Sequence, residues 1–170
     1  LLILYILGSG AGSSSAVTGG DPTEDPYLTS SVNVPFDGCL FHSRHPRVAK
    51  YLREDPAFPG QLTYYSKGLG YSPNDMMSMF YIECTFNFNV VNAYGCGGMF
   101  QLCPQEIGGP KRSAMGITPR ELAALSPSRQ LPYLDRYFRL QGCHRDPPAA
   151  KTPAHAYLCV FLPGKRNKKP

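Results

Sequence analysis

Between Asp21 and about Pro59 the chain is rich in Pro, Asp, Ser and Asn and shows no sustained hydrophobic period. That predicts an extended arm with one short helix over Arg47 to Arg53. Compact structure is expected from near Gln61. Ser72-Pro73-Asn74-Asp75 supplies an N-cap serine, a first-turn proline and an acid at the third helical position, so Met76 to Cys84 is expected to continue as a buried helix. Gly95 to Gly98 reads as a glycine-rich turn and Met99 to Pro104 as a short apolar segment ended by proline. Thr118-Pro119-Arg120-Glu121 has the form of a capping box and places a short helix over Pro119 to Leu125. After Ser126-Pro127, Leu131, Leu134, Tyr137 and Phe138 repeat at helical spacing, and Pro132 must lie in the first turns or kink the helix. Pro153 to Leu162 is apolar on most sides and is expected to be a buried helix. No strand pattern or internal repeat emerges. The expected fold is mainly α, with 1–59 as an arm, 60–164 as the folded domain and 165–170 as a tail.

The 170 residues suffice for one domain with a tail. The chain opens on seven apolar residues, Leu1 to Leu7, followed by a Gly/Ser/Ala-rich stretch to Gly20. A helical membrane span needs about 20 residues, so none is expected here. The run reads as the apolar part of a signal peptide lacking a basic flank, as a hook that docks on a partner through a flexible tether, or as a disordered end. The formal charge is +5, but Lys165, Arg166, Lys168 and Lys169 supply four of the positives within the last six residues. The body is therefore close to neutral, which argues against a basic groove and a nucleic-acid partner, and makes 165–170 a solvated basic tail.

The six cysteines include no Cys-x-x-Cys pair, so neither a structural zinc site nor any other metal or cofactor is expected. Cys84, Cys96, Cys103 and Cys159 stand in apolar runs, where a thiol serves as a small buried hydrophobe, and mostly free thiols are expected.

From Met76 to Gln105, thirty residues contain one side chain among Asp, Glu, Lys and Arg, and it is Glu83. A carboxyl group in an apolar setting loses hydration, which disfavours its charged form and lets it hold and give a proton near neutral pH. Against this stand two plainer readings: Glu83 turns outward at the helix end, or it pairs with a distant base such as Arg136.

The residues beyond Glu83 carry more information. Glu83-Cys84-Thr85-Phe86-Asn87 leads after twelve residues to Gly95-Cys96-Gly97-Gly98-Met99-Phe100-Gln101-Leu102-Cys103-Pro104. This resembles the signature of lysozyme-like lytic transglycosylases: a helix-ending Glu-Ser, then Phe-Asn, then Gly-Ala-x-Gly-Leu-Met-Gln-Leu-Met-Pro. Leu69 to Met77 looks like the entry to the catalytic helix of that family. Gly116 to Phe138 looks like the helical pair of its phage-type members, and Ala156 to Gly164 like its late core helix. The resemblance covers Gln61 to Gly164.

The resemblance implies a lysozyme-like helical domain preceded by the arm. In that family the glutamate protonates the glycosidic oxygen between N-acetylmuramic acid and N-acetylglucosamine. The muramic acid's own 6-hydroxyl then closes a 1,6-anhydro ring. Glu83 takes the acid/base role, Gln101 a cleft-floor position hydrogen-bonding the sugar, and Gly98, Met99 and Phe100 the adjoining substrate segment. Gly95 and Gly98 match glycines that let the turn fold tightly. The side chains of Met79, Phe86 and Met99 are expected in the core, and Gln101 has a plainer alternative, an amide tying its loop to backbone.

No second carboxylate is required. Two-carboxylate glycosidases place theirs about 5 to 9.5 Å apart, and Glu106, Glu121 and Asp135 read here as surface or cap residues. The chain departs from the pattern at Cys84, where the family has Ser, and at Phe161 and Leu162, where many members carry Tyr-Asn. Tyr157, four residues before Phe161 and on the same helical face, is expected to take over the orienting role.

The function expected is a peptidoglycan-cleaving lytic transglycosylase or muramidase acting on glycan strands. A virion tail lysin for genome delivery is the expected setting, held to tail or hub proteins through residues 1–59 and working in the periplasm or cell wall; a secreted or periplasmic enzyme is the alternative. A second reading is a weak or inactive lysozyme-like component of a tail hub or baseplate. A third, a Cys/His amidase or peptidase, requires Cys84, Cys96 or Cys103 beside His144 or His155.

Overall fold

The computed structural model describes residues 42–104 and 115–161. Within them the protein is mainly helical, with no strand. The elements are α1 (Pro46–Glu54), α2 (Phe58–Leu69), α3 (Pro73–Cys84), α4 (Pro119–Ala124), α5 (Pro127–Leu140), two 3-10 turns (Cys143–Arg145 and Pro148–Ala150) and α6 (Pro153–Phe161). Helix α2 packs on α5, and α3 packs on α6. No described helix is long and apolar enough to cross a membrane.

The helix starts follow the expected cap chemistry. Ser72 and Asp75 exchange hydrogen bonds with each other's backbone N–H at the head of α3, and Thr118 and Glu121 do the same for α4. Pro132 lies inside α5, in its second turn.

The folded body reaches back beyond the boundary expected at 59/60. Val48 and Tyr51 on α1 and Phe58 on α2 belong to the core, so residues from at least 46 are part of the domain. The short helix expected over Arg47 to Arg53 is α1. Helix α2 carries little local signal, because Ala57 gives no side-chain cap and Gly60, Thr63, Ser66 and Gly68 blur its apolar stripe. The hook at Leu1 to Leu7, the rest of the arm to residue 41, Glu106, Leu162 and the basic tail lie outside the described residues.

Phe88 sits at the centre of an aromatic cluster. Its ring stacks on Tyr51 at 4.8 Å and meets Phe58, Phe80 and Phe86 at 5.8, 5.5 and 6.3 Å. Asp55, at the end of α1, accepts the Ser128 N–H at 2.7 Å and so caps the first turn of α5. That bond ties the α1–α2 corner to the head of α5, on which α2 packs.

The expectation of mostly free thiols is corrected. Cys96 pairs with Cys103 and Cys143 with Cys159, leaving Cys84 as a free thiol among the described residues. Gly97 and Leu102 exchange N–H···O bonds at 2.9 Å each. This two-residue ladder brings the flanking Cα atoms of Cys96 and Cys103 to 4.0 Å, close enough to bridge. Helix α6 also departs from the reading of a helix buried on most sides: His155, Ala156, Cys159 and Val160 are buried, while Phe161 is exposed.

Candidate functional site

Glu83 occupies the last turn of α3, and the chain leaves that helix by an unusual route. Thr85 and Phe86 both adopt left-handed backbone, with φ of 50° and 56°. For a β-branched and an aromatic residue this is strained, and strain of this kind persists only where the surroundings enforce it. Here the Thr85 carbonyl accepts the Arg47 guanidinium at 2.8 Å, the Asn87 N–H returns to the Cys84 carbonyl at 2.8 Å, and the Phe86 ring is fully buried. The sharp exit fixes the end of α3, in whose last turn the Glu83 side chain is half-buried, with its Oε1 atom fully so.

Two neighbours register the Glu83 charge. The Cys84 thiol is pushed up to about 12, by burial first and by Glu83 second. Its Sγ donates to the Phe80 carbonyl at 3.3 Å and to the Met99 carbonyl at 3.6 Å, so it serves as a fixed buried donor. The Tyr157 hydroxyl is a weaker acid than an ordinary phenol, by burial and then by the negative charge of Glu83. Tyr157 thus lies within electrostatic reach of the carboxylate, brought there by the packing of α6 on α3. Its ring stacks on Phe161 at 5.4 Å and 14°. Around the end of α3, Tyr81, Ile82 and Phe161 are exposed, and His42 stacks on Tyr81 at 5.6 Å.

The glycine loop is built as a buried lining. At Gly98, φ is +82° and a Cβ would meet Leu122 Cδ2 at 2.8 Å and Gln130 Oε1 at 3.0 Å. At Gly97 a Cβ would collide with the Pro119 carbonyl oxygen. Glycine is required at both by close approach, and at Gly98 by conformation as well.

Met99 and Phe100 are fully buried, Phe100 against Tyr137 at 5.5 Å, so their side chains lie in the core beneath the loop surface. Gln101 has φ of 48°. Its Nε2 donates to the Gly98 carbonyl at 2.9 Å and its Oε1 accepts from Asn92 Nδ2 at 3.0 Å, the loop-tying arrangement weighed against the cleft-floor one.

The organisers of this loop are residues to which no sequence motif points. Asn92 Oδ1 accepts from the N–H groups of Tyr94 and Cys96 at 2.8 and 3.1 Å. Gln130, fully buried on α5, accepts the Met99 N–H at 2.7 Å and donates to the Phe88 and Leu125 carbonyls at 2.9 and 3.1 Å. Asn89 donates to the Ala123 carbonyl at 2.7 Å, closing the end of α4. The one signal in the chain is a polar residue at an apolar-facing helical position, as Gln130 is beside Leu131 and Leu134.

Of the other carboxylates considered, the two among the described residues have structural partners. Glu121 is the capping-box acid, and Asp135 binds Arg139 at 2.8 Å. For the Cys/His reading, Cys96 and Cys103 are bridged and Cys84 is held as a protonated thiol, while His155 faces Cys159 instead. Compared with known proteins, the chain matches no family model, no curated protein and no solved structure.

Proposed function

We propose that the protein is a peptidoglycan lytic transglycosylase with Glu83 as general acid and then base. The reading rests on one observation: a helix-ending carboxylate with one oxygen buried, just before a strained helix exit and within electrostatic reach of the Tyr157 hydroxyl. Glu83 gives its proton to the glycosidic oxygen as the bond to the N-acetylmuramic acid C1 breaks. Its carboxylate then takes the proton of the 6-hydroxyl as that oxygen bonds to C1. The products are a free 4-hydroxyl on N-acetylglucosamine and a 1,6-anhydro end, with no water consumed. A lysozyme-like domain carried by a virion tail, attached through residues 1–59, is the setting this reading entails.

A specific observation favours a second reading, a structural tail component that does not cut. The Gln101 amide is engaged within its own loop, and Met99 and Phe100 are buried, so this segment offers sugar few side chains. A murein zymogram decides between them. Clearing by the wild type that is lost in a folded Glu83→Gln variant supports the enzyme, and a folded wild type that never clears murein overturns it. Anhydro ends in the digest identify transglycosylation, whereas reducing ends identify hydrolysis.

A further inference from the structure

Away from Glu83, the turn after α5 and the inner face of α6 bring together a buried set of polar groups. Cys143 and Asp146 stand three residues apart in the turn, and His155 and Cys159 four apart on one face of α6. Ligand atoms of Cys143, Asp146 and Cys159 lie within 4.8 Å of one another. His155 Nε2 is 3.1 Å from Asp146 Oδ2, and its Nδ1 is 2.6 Å from the Tyr71 hydroxyl and 3.8 Å from Cys159 Sγ. With Nε2 protonated, the ring donates to Asp146 and accepts from Tyr71. The His155 and Asp146 side chains are only 6% and 8% exposed. The pair is thus buried and hydrogen-bonded directly beside the two sulfurs. A metal site uses such a pair, because an imidazole fixes a ligating carboxylate in place.

We propose that Cys143, Asp146 and Cys159 are the protein ligands of a zinc site in the reduced protein, with His155 orienting Asp146, and that this site alternates with the Cys143–Cys159 disulfide. A dithiol reductant supplies two electrons and two protons to the S–S bond and leaves as its own disulfide. Zinc then binds the two sulfurs, displacing their protons. Three protein ligands, two from the turn and one from the helix, leave a fourth position for water, and two thiolates favour zinc over hard cations. Two thiolates and a carboxylate around Zn2+ carry one net negative charge. The Lys151 ammonium, which donates to the Cys143 carbonyl at 2.6 Å and lies 4.9 Å from the centre of the Tyr71 ring, is placed to balance it.

The test uses the full chain, reduced with a dithiol, desalted under argon and titrated with Co2+ as a spectroscopic stand-in for zinc. The expected result is one equivalent bound with a thiolate-to-cobalt charge-transfer band. The band is lost in Cys143→Ser and Cys159→Ser and retained in Cys84→Ser, and His155→Ala binds about 10- to 100-fold more weakly. If reduction alone melts the helices, stoichiometric zinc is expected to restore the circular dichroism. A folded reduced chain without the band, or an unfolded one that zinc leaves unfolded, overturns the proposal.

Discussion

Gln130 Oε1 accepts the Met99 N–H at 2.7 Å, and this bond joins α5 to the glycine loop. The same amide holds the Phe88 carbonyl, so one side chain fixes the positions of both segments downstream of Glu83. Gln130→Leu leaves a buried N–H and a buried carbonyl unsatisfied, and is expected to cost about 3–5 kcal/mol. Urea unfolding of the variant against wild type measures it, and a loss below about 1 kcal/mol contradicts the bridging role.

Gly98→Ala combines left-handed backbone with a Cβ inside contact distance of Leu122. The expected destabilisation is about 2–4 kcal/mol. Trimming the obstacle in Gly98→Ala/Leu122→Ala should recover part of the steric share and none of the backbone share, a coupling readable in a double-mutant cycle.

Asp55→Ala removes the acceptor for the Ser128 N–H at the buried head of α5. About 1.5–3 kcal/mol is the expected loss for a hydrogen bond to a charged group. Hydrogen exchange at the Ser128 amide should rise more than in α3, since the cap acts on α5 directly.

The Cys84 thiol, raised from 9.0 to about 12, gives a pH signature. The folded state holds its proton more tightly than the unfolded state, so the stabilising contribution is complete below pH 9 and is lost as pH rises towards 12. The stability difference between wild type and Cys84→Ala should shrink across that window. At pH 8, alkylation of Cys84 should be slower in the folded protein than in urea, because the raised thiol leaves less thiolate and burial limits access.

Tyr157→Phe keeps the stack on Phe161 and removes the hydroxyl within reach of Glu83. If Glu83 cleaves murein, kcat should fall about 10- to 100-fold with little change in KM. The acidic limb of the pH–rate profile should move as well, and an unchanged profile excludes the orienting role.

Local cap chemistry makes α3 and α4 legible: Ser72/Asp75 and Thr118/Glu121 form in the structure the boxes their spacing announces. Helix α2 is hidden because it begins without a cap and carries two glycines. Its commitment to helix comes from packing on α5, which a local pattern does not contain. The disulfides are hidden for a related reason. The ladder at Gly97 and Leu102 brings Cys96 to Cys103, and the α5–α6 turn brings Cys143 to Cys159, so pairing is a property of tertiary proximity. At the candidate site, the isolation of Glu83 in an apolar stretch is visible in one dimension. The engagement of Gln101 by Asn92 and Gly98 is visible only in three.

Helix α6 is a rod of nine residues whose opposite sides serve different neighbours: His155 and Cys159 look towards the sulfur-rich corner, and Tyr157 looks towards Glu83. The Cys143–Cys159 bond and the phenol within reach of Glu83 are therefore held on opposite sides of the same nine residues.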